Sequence, residues 1–152
     1  MIISDVVLIR ILICVLAFIG FLISKHIHTK KKSPQPLVCP MKMNCHAVVH
    51  SDYSKFMGVP LEIFGMVYYA LVSLAYFVLI FNSSPLSLST TIVLMVFALG
   101  AFLFSIYLTL VQLLVLKEGC FWCFISAFIS TIIFVLAFFV YDLLEVFKNI
   151  LV

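Results

Sequence analysis

Charge is scarce in this sequence. Only 10% of the 152 residues are Asp, Glu, Lys or Arg, while 66% are hydrophobic. A water-soluble domain carries roughly 25% charged and about 45–50% apolar residues, so water is excluded as the main solvent for this surface. The length allows one domain, residues 1–152, and excludes a separate soluble catalytic domain beside a membrane part. The basic residues behind the net charge of +3 gather in one short linker without interleaved aromatics, so nucleic acid is not an expected partner. No small-residue cleavage site clearly follows the first apolar run, which is therefore expected to remain as a helix. Internal repeats and low-complexity tracts are also missing.

What the sequence has instead is long apolar runs. A bilayer core takes about 20 helical residues at a rise of about 1.5 Å each. Segments 6–24, 60–81, 89–116 and 121–141 reach that length, and lipid offers their backbones no partner but themselves. The expected fold is an all-α integral membrane bundle of four transmembrane helices. Arg10 lies near the outer end of the first, where a long side chain can snorkel. Gly58-Val59-Pro60 is a good start for the second, since proline suits the first helical position, and Glu62 suits the positive end of its dipole. The third is longer than a bilayer requires and should tilt or protrude. Past the fourth, Asp142 to Val152 alternates charge with Leu143, Leu144, Val146, Phe147 and Ile150, which predicts an interfacial helix end. Asn82-Ser83-Ser84-Pro85 and Lys117-Glu118-Gly119 are tight connections, whereas the linker 25–59 is the long one. Four spans place that linker and Lys117–Gly119 on one side of the membrane, and the termini and the Asn82 turn on the other.

The cysteines are Cys14, Cys39, Cys45, Cys120 and Cys123. By connectivity, both close pairs share one membrane face. Cys120-Phe121-Trp122-Cys123 is a CxxC motif at a helix start, where free N–H groups and the dipole favour the reactive thiolate. Cys39 and Cys45, with five residues between them, can close a loop or serve as a mobile carrier; a structural staple is the plainer alternative. A metal clip drawn from Cys39, Cys45, His46, His50, Cys120 and Cys123 is a further alternative, although the spacings match no familiar zinc pattern. His26 and His28 are expected on a solvated basic face, and Cys14 in packing. Gln112, Ser105, Thr109, Tyr107, Ser126 and Ser130 are the polar side chains available to face an interior cavity. Ser126 and Ser130 share a helix face, and for Ser130 helix packing is the expected role.

Cys39-x5-Cys45, followed by Val48, Ser51, Tyr53, Ser54, Phe56-Met57-Gly58-Val59-Pro60-Leu61 and Gly65, resembles the vitamin K epoxide reductase family, its bacterial members most of all. Tyr107-Leu108 and Cys120-Phe121-Trp122-Cys123-Phe124-Ile125-Ser126-Ala127 resemble it too, and the likeness reaches from the first helix to Tyr141. It implies a four-helix bundle around a quinone pocket (ubiquinone, menaquinone or a vitamin K-like ring) at the cysteine face. The implied activity is quinone-coupled thiol oxidoreduction in support of disulfide-bond formation. Electrons would pass from a separate thioredoxin-like or DsbA-like redox protein through Cys39/Cys45 to Cys120/Cys123 and on to a membrane quinone. Cys123 would sit beside the quinone, Cys120 would exchange with Cys45, and Cys39 would meet the partner's thiol. Ser51 occupies the family's loop-serine position and, with Cys123, Ser126 and Tyr107, is expected at the cofactor. The non-enzymatic alternative is a membrane module with a structural disulfide or a Cys/His metal site.

Orientation draws two opposed expectations. Lys25, Lys30, Lys31, Lys32, Lys42, Lys55 and Lys117 lie on the cysteine side, against Arg10 and Lys148 on the other, which by the positive-inside rule turns the cysteines to the cytoplasm. The resemblance implies a multi-pass protein of the cell (inner) membrane with its cysteines on the extracytoplasmic face, where disulfides persist.

Overall fold

Beyond Pro60 at the start of the second, the apolar runs contain no proline, and each folds as a helix, which satisfies its own backbone polar groups where lipid cannot. The computed structural model describes residues 2–34, 39–42, 45–82 and 88–151, the side chains of 2, 3, 41, 88, 140–148 and 151 excepted. In chain order the elements are α1 (Ile2–Lys32), a short α2 (Cys45–Val49), β1 (Lys55–Phe56), β2 (Val59–Pro60), α3 (Leu61–Phe81), α4 (Leu88–Leu110) and α5 (Phe121–Leu151). Among the described residues, four stretches are long and apolar enough to cross a membrane: Ser4–Lys32, Leu61–Phe81, Ser89–Leu116 and Phe121–Phe139. The chain is thus a multi-pass membrane protein.

α1 is the central helix and packs on both α3 and α5, while α4 packs on α5. The main core joins Ile13 and Ala17 of α1, Tyr69, Val72 and Tyr76 of α3, and Ile129 and Ile133 of α5. Small residues let α1 and α3 approach closely, as in other membrane bundles. An added Cβ at Gly20 would lie 2.6 Å from the Tyr69 ring, and one at Gly65 would lie 2.9 Å from Ser24 Oγ. Cys14 packs against this core and its thiol donates to the Ser73 carbonyl at 3.5 Å. Arg10 turns inward to donate to the Leu79 carbonyl at 3.1 Å. That bond satisfies one of the carbonyls left without a helical partner at the end of α3.

The structure departs from the sequence expectations in four places. First, α1 continues past Ser24 to Lys32. Residues 25–32 contain no helix breaker, and Lys30, Lys31 and Lys32 fall in the last turn, where cations complement the dipole. Second, the linker is structured and not all helical. β1 and β2 pair antiparallel, Lys55 opposite Pro60 and Phe56 opposite Val59. Their turn places Met57 at φ 53° and Gly58 at φ 81°, the doubly left-handed pattern of a two-residue hairpin. Third, the run that begins with α4 does not stay α-helical: Val111–Leu116 winds as a π-helix and ends on Lys117 at φ 52°. Fourth, α5 continues to Leu151 instead of stopping near Tyr141. Gln35–Val38, Ser83–Pro85 of the Asn82 turn and most side chains of the interfacial tail lie outside the described residues.

Candidate redox site

The loop and α5 bring the two cysteine pairs together. Cys39 and Cys45 are joined as a disulfide with their Cα atoms 5.9 Å apart, and Cys120 and Cys123 are free thiols. The sulfurs of Cys39, Cys45 and Cys120 all lie within 4.8 Å of one another. Cys45 is 1% exposed and Cys120 0%, packed with Ile27, Val48 and Val49 in an apolar cluster of their own. Cys39 is half-buried at its edge. α2 makes this possible: a single helical turn starts on Cys45 and turns Val48 and Val49 inward with it.

Cys120 is the residue before α5, and its carbonyl accepts from the Phe124 N–H at 3.0 Å, the first bond of that helix. Its side chain therefore occupies a cap position, where an oxygen or sulfur can accept from the next free N–H groups. The Cys123 thiol hydrogen-bonds to it, and the Cys123 and Trp122 N–H groups do the same. Together these hold the Cys120 thiol below the usual cysteine range, against the burial that pushes it up. Cys120 is thus prepared as a thiolate next to a disulfide. That pairing is what thiol–disulfide exchange requires.

Cys123 faces the other way, onto a cavity of about 650 Å³ between the helices. This volume is ordinary for a small-molecule site. Its apolar wall comes largely from Phe64, Val67 and Leu71 of α3 and from Val96, Phe97 and Phe104 of α4, two helices that do not pack closely on each other. Phe56 of the hairpin closes one corner, edge-on to both Phe64 and Phe104 with ring centroids 6.0 and 6.1 Å away. Polar atoms are few and pointed. Gln112 Oε1 is buried without a hydrogen bond, the buried Tyr68 and Ser130 hydroxyls have at most each other as a weak partner, and all three residues line the cavity. Buried polar atoms normally find partners. A flat apolar ring carrying oxygens fits such a site, because hydroxyls can donate to a ring carbonyl and the amide oxygen can accept from a ring hydroxyl. Gln112 also hydrogen-bonds the Cys123 thiol. It reaches this position because it lies in the π-helical turn, a device that often re-aims a side chain at functional sites.

The other expected residues fall as follows. Ser126 lines the cavity and is paired with Tyr69 Oη at 2.9 Å, while Tyr69 also donates to the Ser126 carbonyl at 2.7 Å. Ser51 lines it too, although its hydroxyl donates to the Val48 carbonyl at 2.7 Å. Tyr107 is not among the lining residues; it is 54% exposed and stacks on Phe104. Ser105 is on the wall and Thr109 bonds back to the Ser105 carbonyl. Ser130 has its hydroxyl on the wall instead of serving only in packing. His46 and His50 are exposed, lean on each other at 4.2 Å and stay outside the sulfur group. With Cys39 and Cys45 bonded to each other, a metal would find one free sulfur in that group.

Sequence reasoning missed Tyr68, the ionic contacts of Glu62, and His28. His28 is not on a freely solvated face: its ring lies 3.5 Å from the Glu62 carboxylate, and Lys31 Nζ lies 3.1 Å from the same oxygen. His26 packs on Trp122 at 4.9 Å. The signal was present, because an acidic residue inside a transmembrane segment is by default a functional candidate. The profile of the vitamin K epoxide reductase family matches residues 11–138. A search of curated proteins returns no match.

Proposed function

The chain belongs to the vitamin K epoxide reductase family, and on that premise we propose that it is a quinone-coupled thiol oxidoreductase that drives disulfide formation in a separate thioredoxin-like or DsbA-like protein. The observation that carries this is the sulfur arrangement: Cys39, Cys45 and Cys120 lie within 4.8 Å, and Cys123, one helical turn on, faces the cavity.

A partner dithiol attacks the Cys39–Cys45 disulfide at its more accessible sulfur, Cys39. The partner leaves oxidised and the loop pair is left as a dithiol. Cys45 then attacks Cys120 of a Cys120–Cys123 disulfide and expels the Cys123 thiolate; Cys39 resolves the mixed disulfide and frees Cys120. The loop is again a disulfide and the CxxC pair a dithiol, the redox state found in this structure. A quinone bound in the cavity supplies the acceptor for the two electrons that Cys120 and Cys123 release when they close to a disulfide. Tyr68 and Ser130 orient its oxygens, Ser126 and Tyr69 brace the wall, and Ser51 closes the loop side. Tyr107, stacked on Phe104, supports the α4 wall from outside. The apolar cluster around Cys45 and Cys120 excludes water from the exchange.

The decisive measurement is quinone reduction by the purified protein fed by a reduced thioredoxin-like protein. The parent is expected to be active and Cys123→Ser inactive, and a Cys45–Cys120 mixed disulfide should be trapped in that variant. Activity that survives in Cys123→Ser, or a trap that only ever yields Cys39–Cys45, would overturn the path. The cysteine face is assigned to the extracytoplasmic side. Reporter fusions near Pro34 and at Asn82 should report outside and inside respectively, and the reverse pattern would refute it.

A further inference from the structure

Among the described residues Glu62 is the one carboxylate on the cavity wall. Its side chain is 5% exposed, and a buried charge is costly where an apolar side chain would serve for packing. Everything charged or titratable around it is identifiable. From α1 come Lys31 Nζ at 3.1 Å and His28 Nδ1 at 3.5 Å. Lys31 also donates to Ser54 Oγ at 3.5 Å. From α5 comes Cys123, which lies within the electrostatic reach of Glu62. His28 is 20% exposed on its side chain. His28 and Glu62 therefore form a row that begins at water and ends in the cavity.

Proton balance gives this row something to do. Closing two thiols to a disulfide releases two electrons and two protons, and a quinone reduced to its quinol takes up both. Cys120, however, sits in a cap position that favours its thiolate, and when it reacts in that form its proton is not delivered to the cavity. What remains is one thiolate, one thiol and an acceptor still short of one proton. That proton has to cross a dry wall.

We propose that His28 and Glu62 form the proton path into the cavity. The Glu62 carboxylate takes a proton from His28 Nδ1 and passes it to the acceptor's oxygen. His28 is recharged from water through its second ring nitrogen. The proton shed by Cys120 and the proton taken in by His28 balance. Lys31 is a positioning residue that holds the carboxylate on the wall. This inference rests on the quinone-coupled function.

The test uses the full-length protein in detergent with a short-chain ubiquinone, and reads two reactions separately. Exchange between Cys39–Cys45 and Cys120–Cys123, followed by thiol alkylation without quinone, should persist in Glu62→Gln and change far less than the quinone step. Oxidation of Cys120 and Cys123 by the quinone should be about a hundredfold slower in Glu62→Gln, in line with loss of a general acid. His28→Ala should be about tenfold slower and recover when imidazole is added, which a structural role would not do. Without quinone, the infrared difference between the dithiol and disulfide states should contain a carboxyl band that Glu62→Gln removes. A Glu62→Gln protein oxidised at the parent's rate overturns the path. So does loss of exchange and quinone reduction in equal proportion, absence of imidazole rescue, or absence of that infrared band. A parent that reduces no quinone overturns the function itself, whereas an active parent with an equally active Glu62→Gln overturns the proton path alone.

Discussion

Cys120 owes its chemistry to one residue of helix geometry. Because it precedes α5, the N–H groups of Trp122 and Cys123 are free to point at its sulfur, and the Cys123 thiol adds a third donor. A lowered thiol value means that thiolate persists to lower pH. The ultraviolet thiolate absorbance of reduced Cys120 should therefore rise with pH and level off below the roughly 8.5 of a free cysteine, and fall as pH drops through that lowered value. Cys123→Ala removes the leading cause, so the plateau should move up toward the ordinary range; difference absorbance against a Cys120→Ser variant reads it from about pH 5 to 10, the span where cysteines titrate. Gln112 offers a second residue-scale outcome. Gln112→Leu fills the same space but loses both the bond to Cys123 and the unpartnered oxygen on the cavity wall. Affinity for the quinol, whose hydroxyl can donate to that oxygen, should fall about fivefold to tenfold, the size of one hydrogen bond, as read by titrating the purified protein. Both cysteine pairs were legible in the sequence, because spacing and membrane sidedness are enough to group them. The role of Gln112 was legible only as polarity in an apolar run. Its direction depends on a π-helical turn, and nothing in Val111–Leu116 distinguishes that winding from an α-helix.

At the scale of elements, the hairpin joins the loop to the membrane. It starts α3 on time and lays Phe56 over the corner of the cavity. Its weak point is Met57, a non-glycine residue at φ 53° and 89% exposed. Such a residue in the left-handed region costs roughly 1–2 kcal/mol, and asparagine tolerates the region better. Met57→Asn is expected to stabilise the fold by about 1 kcal/mol, seen as a higher midpoint of thermal unfolding in detergent, with quinone reduction unaltered. The helices themselves were easy to anticipate, since apolar length and the absence of proline leave little choice. Their ends were not. Residues 25–32 look like linker because they are polar, yet their helicity is sustained by Lys31 and His28 meeting Glu62, a contact between residues 31 positions apart and more (Lys31 to Glu62). The hairpin was hidden for a similar reason: Met57-Gly58 is not a usual turn pair, and the pairing involves only two residues on each side.

For the molecule as a whole, α1 holds the bundle together, and Gly20 marks where it meets α3 most closely. A methyl group there would lie 2.6 Å from the Tyr69 ring, and that ring is tied to α5 through Ser126. Gly20→Ala should therefore destabilise the protein by about 1–3 kcal/mol, as overpacking does, and loosen the cavity wall along with it. Gly100→Ala is the control: an added Cβ there meets nothing within 4 Å, so thermal unfolding should be nearly unchanged. Equal effects at the two positions would contradict this account of the α1–α3 contact.

Cys39 is half-buried at the rim, while Cys45 and Cys120 lie behind it at 1% and 0% exposure. A small water-soluble thiol can therefore strike the chain at one sulfur and no deeper. Reducing equivalents from the general thiol pool meet a single doorway, and only a protein shaped to present a cysteine at the rim can use it efficiently. On the proposed function, a lipid-side acceptor would be insulated from that pool.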